Sequence, residues 1–300
     1  MKDLSWSGVM PGITTPFTAD GKADLDFLGC HAATLVDAGS SAIIGVGLRG
    51  EGATLRFDEK VMILRRLVES VGRRVPVIAA VSALSTGAAV ELARAAASIG
   101  CRGLLVTPPY FHRGPWEEVE GHLDAVLSAT PLPCMLHQHP AVYGVELPPD
   151  AIATLAARHA NLGAVCDAGG DARRLTAVRM LCGDHLACVV GADDFVLEGA
   201  ALGARGWSSG LVNALPRECV VLFDLARRGD APRALELCRW LLPLLRLDGQ
   251  PQSVQRLKLV QSEVGLGTER VRAPRLPLEG EAREETLRTV RERLAVRPAV

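Results

Sequence analysis

The chain has 300 residues, 48% of them apolar, enough to bury one large core or two modest ones. A formal net charge of -1 gives no electrostatic footing for nucleic acid or an anionic membrane, no run approaches the ~20 apolar residues of a membrane span, and the opening MKDLSWSGVM lacks an apolar signal core. Eight cysteines stand singly, with no CxxC or zinc-knuckle spacing, so reduced thiols and a cytoplasmic setting are expected.

The first short apolar run, VMPGITTPF, covers residues 9–17. Asp24 then opens an amphipathic stretch that stops at Gly39, a glycine at the C′ position. SAIIGVG (41–47) reads as the second strand and FDEKVMILRRLVESVG as the helix behind it. VPVIAAVS (75–82) leads into a helix with Ser85 as its N-cap and Gly100 as its stop. GLLVTPP (103–109) leads into PWEEVEGHLDAVLSA, with Pro115 at the first helical position and acids in the first turn. PCMLHQH (133–139), LGAVCD (162–167), LACVVGA (186–192) and ARGWSSG (204–210) complete a set of eight strands.

Continuous rather than alternating hydrophobicity suits strands buried on both faces, as in a parallel sheet. Strand–helix units at about thirty-residue spacing imply βα crossovers, and eight of them imply a (β/α)8 TIM barrel. A doubly wound open sheet is the alternative, but no GxGxxG follows the first strand. The barrel is expected over residues 1–215, with 216–300 as a helical extension packed on it. Its helices are expected within 216–268 and 283–296, joined by RVRAPRLPLEGEA as a surface linker.

Chemistry in this fold sits at the C-terminal ends of the strands. The segments there are TPFTADGKAD, GLRGEGATL, LLVTPPYF, HQHPAVYG, GAVCDAGGDARR, GADD and GWSSGLVNALP. In order and spacing they resemble the dihydrodipicolinate synthase / N-acetylneuraminate lyase superfamily, from about Gly8 to the RLPL near 275–278. The resemblance implies a barrel, a homo-oligomer (dimer or tetramer), no added cofactor, and a small 2-oxo acid bound as an imine to a lysine at the end of strand six. A carbon–carbon bond is then made or broken, or water eliminated.

Several positions depart from that pattern. The strand-six form GxK[ED]xxGD reads GAVCDAGGD here, so Cys166 stands at the lysine position. The tyrosine opening the strand-five motif is His137, the carboxylate-binding arginine after it is Val142, and the two threonines of the GTTGE loop are Leu48 and Arg49. Tyr110 is kept; in the family it reaches a neighbouring subunit's site. The chain has only four lysines. Lys2 is terminal, Lys60 begins a helix, Lys258 lies in the extension, and Lys22 sits in a turn where it is expected to be solvated. None has an evident setting for an imine-forming amine, which must be desolvated.

Two readings of Cys166 stay open: a nucleophile activated by His137, or a small buried filler. His137 and His139 are two apart and share a side of the strand, with His139 expected one layer deeper. With Cys166 they form a candidate metal set, against the reading that they are hydrogen-bonded core imidazoles. Arg49 could fork a substrate carboxylate or pair with Glu51 or Asp193 as scaffold. The candidate catalytic residues are therefore His137, Tyr110 and Cys166, and the candidate substrate-binding residues Leu48, Arg49, Gly191 and Ser208. The expected function is a lyase or synthase acting on a small oxo or hydroxy acid without the usual imine. The alternatives are an inactive paralogue that binds a ligand or partner, and a metal-assisted lyase.

Overall fold

A computed structural model describes residues 4–110 and 112–299. Eight parallel strands alternate with helices: β1 (Gly8–Val9), α1 (Leu25–Asp37), β2 (Ile43–Gly45), α2 (Phe57–Val71), β3 (Val77–Val81), α3 (Thr86–Ile99), β4 (Gly103–Val106), α4 (Trp116–Leu127), β5 (Cys134–Gln138), α5 (Pro140–Tyr143), α6 (Pro149–Arg158), β6 (Leu162–Asp167), α7 (Ala172–Cys182), β7 (Ala187–Val190), α8 (Val196–Ala201) and β8 (Gly206–Trp207). Four helices follow: α9 (Pro216–Arg228), α10 (Ala231–Leu245), α11 (Ser253–Glu263) and α12 (Gly280–Ala295). Strand order around the sheet is β1-β8-β7-β6-β5-β4-β3-β2, and a parallel bridge from Gly12 to Ile44 brings the first edge onto the last. The expected (β/α)8 barrel is the observed fold.

The helices end where their sequences allow. Asp24 accepts from the Phe27 N–H at 3.0 Å and Ser85 from that of Ala88 at 3.3 Å, so each caps an orphan donor. Gly100 closes α3 at φ +100, a left-handed conformation costly for other residues. Pro115 caps α4 rather than entering it.

The first and last strands are shorter than their apolar runs. Pro11 and Pro16 lack the N–H a ladder needs, so residues 10–17 follow β2 through single bonds, such as Ile13 N–H to the Ile44 carbonyl at 2.9 Å. In β8 only Gly206–Trp207 pair, and the serines beyond them turn over the mouth. Inside the ring, Trp6, Met10, Ile44, Leu105, Met135, Cys166 and Val189 form one packed cluster, while Leu, Val and Ile side chains fill the layer between strands and helices.

The surface linker expected near 270–282 is a clamp. Arg272 donates from its backbone to Glu51 at 3.0 Å and from its guanidinium to Glu59 at 2.9 Å and the Gly21 carbonyl at 2.6 Å, and it lies 4.6 Å over the Phe17 ring. Among the described residues no helix is long and apolar enough to cross a membrane.

Candidate active site at the mouth of the barrel

β5 and β6 run side by side with His137 opposite Cys166 and Gln138 opposite Asp167. Strand alternation turns His137 and Cys166 to the barrel interior and sends Asp167 outward. There Asp167 accepts from Arg174 Nε at 2.7 Å and from the Gly169 N–H at 2.8 Å, fixing the loop after β6. Cys166 is fully buried, and its thiol sits against the Ser208 hydroxyl. Burial, reinforced by the Asp167 charge, pushes the thiol far above its usual range. At neutral pH it is a protonated, covered thiol, and it borders neither cavity at the mouth.

His137 has a partner that sequence reading missed. Pro140 opens and Gly144, at φ +64, closes a single helical turn after β5, and that turn folds Tyr143 back over the strand end. The Tyr143 hydroxyl and His137 Nδ1 are 2.8 Å apart, with the rings edge-on at 5.4 Å. Burial pushes His137 down to about 3, with His139 and Arg49 adding to it, so the imidazole is neutral. Burial also raises Tyr143 and Tyr110 above the ordinary phenol range. The signal was in HPAVYG, where proline and glycine bracket one turn.

A cavity of about 100 Å³ opens here, walled by Leu48, Ala80, Thr107, Tyr110, His137, Val142, Tyr143 and Arg275 among others. Tyr110 thus borders the site of its own chain, 6.4 Å from the Tyr143 ring. A smaller hollow of about 40 Å³ shares Leu48 and His137 and adds Arg49, His139, Gly191 and Ser208. The candidate residues therefore gather at the mouth, with Cys166 immediately beneath. Gly191 makes room for it, since a Cβ there would stand 2.9 Å from the Cys166 sulfur. Two larger hollows, of 460 and 550 Å³, lie at the opposite end of the barrel and beside α9 and α10. Among the described residues neither is bordered by histidine, cysteine, tyrosine or lysine, so the small mouth cavity is the candidate site.

Three expectations need correction. His139 lies beyond the end of β5, toward the mouth, not one layer deeper, because the strand runs toward its C-terminal rim. His137, His139 and Cys166 do not form a metal set: among the described residues no three His, Cys, Asp or Glu side chains gather to hold an ion, and His137 Nδ1 already faces Tyr143. Arg49 pairs neither with Glu51 nor directly with Asp193. It is bound to Asp248, after α10, and donates to Ser253 at 3.2 Å. Beneath it Asp193 accepts from the Gly210 and Leu211 N–H groups, and burial together with the Asp248 charge raises its carboxyl.

The lysines are otherwise engaged. Lys258 is buried, donating to Glu51 at 2.6 Å, the Arg270 carbonyl at 2.7 Å and the Thr15 carbonyl at 2.8 Å, which satisfies all three of its protons. Lys60 reaches the Ser82 carbonyl at 3.2 Å, and Lys22 pairs with Asp20 in solvent at 2.8 Å. Lys2 lies outside the described residues. No described lysine borders either cavity.

The model of the Dihydrodipicolinate synthetase family matches residues 5–293. The chain belongs to this family. Its relatives include 4-hydroxy-tetrahydrodipicolinate synthases of Moorella thermoacetica, 34% identical over 94% of this chain and 95% of that one, and of Streptomyces coelicolor, 36% identical over 92% of each. The family barrel superposes on a dihydrodipicolinate synthase of Bacillus anthracis with a TM-score of 0.91 at 29% identity, covering 96% of this chain and 98% of that one. A synthase of Acinetobacter baumannii, solved with pyruvate, superposes at 0.89 and 28% identity over 96% and 99%.

Proposed function

We propose that the protein is a lyase or synthase that takes a small 2-oxo or hydroxy acid at the barrel mouth and moves protons with His137, Tyr143 and Tyr110, without a lysine imine. The observation that carries this reading is the pairing at the ends of β5 and β6. Cys166 stands where the family resemblance places the imine lysine, and beside it His137 is joined to Tyr143 at 2.8 Å at the wall of the cavity. A neutral imidazole bonded to a phenol can take a proton at one nitrogen while the phenol fixes the other. The Acinetobacter relative was solved with pyruvate, which supports a 2-oxo acid of that size.

Cys166 is assigned a packing role in this reading, because a covered, protonated thiol is a poor nucleophile. A second copy is proposed to meet this one through the 107–114 loops, in which 112–114 are exposed and residue 111 lies outside the described residues, consistent with a dimer or tetramer. Sedimentation as a monomer at micromolar concentration would remove that part. The alternative, an inactive paralogue that only binds a ligand, is favoured by the depth of Cys166 and the capture of Arg49 by Asp248.

Two measurements separate these readings. Incubation with pyruvate and borohydride should leave the protein's mass unchanged, since a thiol adduct has no C=N bond to reduce. Cys166→Lys should trap pyruvate if the pocket admits it. Exchange of pyruvate methyl protons in deuterated water should be catalysed by the native protein and lost in His137→Gln. A mass-mapped pyruvyl adduct on a native lysine would overturn the imine-free reading, and absence of exchange would favour the paralogue.

A further inference from the structure

An acid held in the mouth cavity needs a counter-charge, and the positions expected to supply one do not. Val142 is apolar, and Arg49 is spent on Asp248. Among the described residues, one charged side chain borders the cavity: Arg275. It comes from the C-terminal segment that the sequence marked only as a linker.

The neighbouring segment fixes its place. Arg272, three residues earlier, is pinned to Glu51, Glu59 and Gly21. Arg275 is about one-quarter exposed, and among the described residues its guanidinium makes one ion pair, to Glu51 at 3.7 Å, beyond hydrogen-bond reach. Glu51 has no need of it, for its two oxygens already accept from Lys258 at 2.6 Å and the Arg272 N–H at 3.0 Å. Within the cluster joined by these ion pairs, Lys258, Arg272 and Arg275 face Glu51 and Glu59. Three cations against two carboxylates leave one positive charge unmatched, and of the three only Arg275 touches the cavity.

We propose that Arg275 is the substrate-binding residue that holds the carboxylate of a small monocarboxylic oxo acid in the mouth cavity. The inference rests on the oxo-acid reading above and narrows it. The guanidinium presents a planar fork of donors to a carboxylate. A second carboxylate would meet Leu48, Val142, neutral His137 and two phenols, with no cation to pair it. The cavity, at about 100 Å³, is also well below the ~300–1,000 Å³ of sites for drug-sized ligands. The site therefore selects one charge and few atoms.

Titration calorimetry with pyruvate, its neutral ester methyl pyruvate, and succinate tests this on the native chain, Arg275→Gln and Arg275→Lys. The native protein is expected to bind pyruvate and to bind succinate more weakly. Arg275→Gln should weaken pyruvate by about 10- to 100-fold while holding methyl pyruvate within about twofold. Arg275→Lys, which keeps the charge and loses the fork, should fall between them and shows the result if the glutamine variant fails to fold. Equal pyruvate affinity in native and glutamine variants overturns the Arg275 assignment and leaves the oxo-acid reading standing. Loss of both pyruvate and methyl pyruvate marks a structural role and overturns it too. Succinate bound as tightly as pyruvate overturns the single-charge selectivity. A native protein that binds neither pyruvate nor its ester overturns the oxo-acid reading, and this assignment with it.

Discussion

At the scale of single residues, the site is governed by burial more than by formal chemistry. Cys166 looked reactive in GAVCDAGG, but it is sealed under Ser208 and Gly191 and held as a thiol. Native protein treated with iodoacetamide at neutral pH should therefore label the exposed Cys30 first and Cys166 only after unfolding, as read by peptide mapping. Early labelling of Cys166 would restore the nucleophile reading. Tyr143→Phe removes the hydroxyl that faces His137 and leaves a half-buried ring nitrogen without that partner. The cost should be about 1–3 kcal/mol in urea unfolding. The same variant should slow any proton exchange that depends on His137.

At the scale of elements, the C-terminal helices do more than cover the barrel. α11 sends Lys258 under the loops after β1 and β2, where it meets Glu51 and lies 4.4 Å over the Phe17 ring. Burial lowers its pKa, and the Glu51 partnership opposes that shift. Lys258→Met leaves Glu51 buried with Arg272 and a distant Arg275, and should cost about 3–5 kcal/mol. The double variant Lys258→Met, Glu51→Gln should recover much of this, because the cost lies in the stranded charge. No recovery in denaturant titration would show that helix packing, not the ion pair, is at stake. The element also explains why Glu51 keeps a left-handed backbone at φ 55: its carboxylate is tied from both α11 and the Arg272 segment.

At the scale of the whole molecule, acid stability depends on four imidazoles shielded from water, buried His31 and His122 and half-buried His137 and His139, all lowered by desolvation. Burial lowers His31 to about 4, His137 to about 3 and His139 to about 4, against about 6.5 in the unfolded chain. Below 6.5 the unfolded chain binds protons that the folded one refuses, so stability is full above that pH and falls as pH drops toward 4. Each histidine contributes at most ~1.4 kcal/mol per pH unit in that window. Urea midpoints between pH 7 and 4 should decline steeply, and His137→Gln should flatten the slope by about one proton. An unchanged slope would mean the imidazole is solvated in the folded state.

The barrel was legible before folding, because apolar runs alternating with capped amphipathic stretches have few other ways to bury both faces of a sheet. The sequence also placed His137, Tyr110, Cys166, Leu48, Arg49, Gly191 and Ser208 at one rim, since strand ends in a barrel converge whatever lies between them. It could not rank them. Whether Arg49 is free depends on Asp248, some two hundred residues away, and whether Cys166 is reactive depends on the walls around it. Tyr143 and Arg275 reach the cavity through one helical turn and one clamped segment whose paths no periodicity records. Partnership and burial are long-range properties of the packed chain, and they alone decided which polar groups face the cavity and which are spent holding it open.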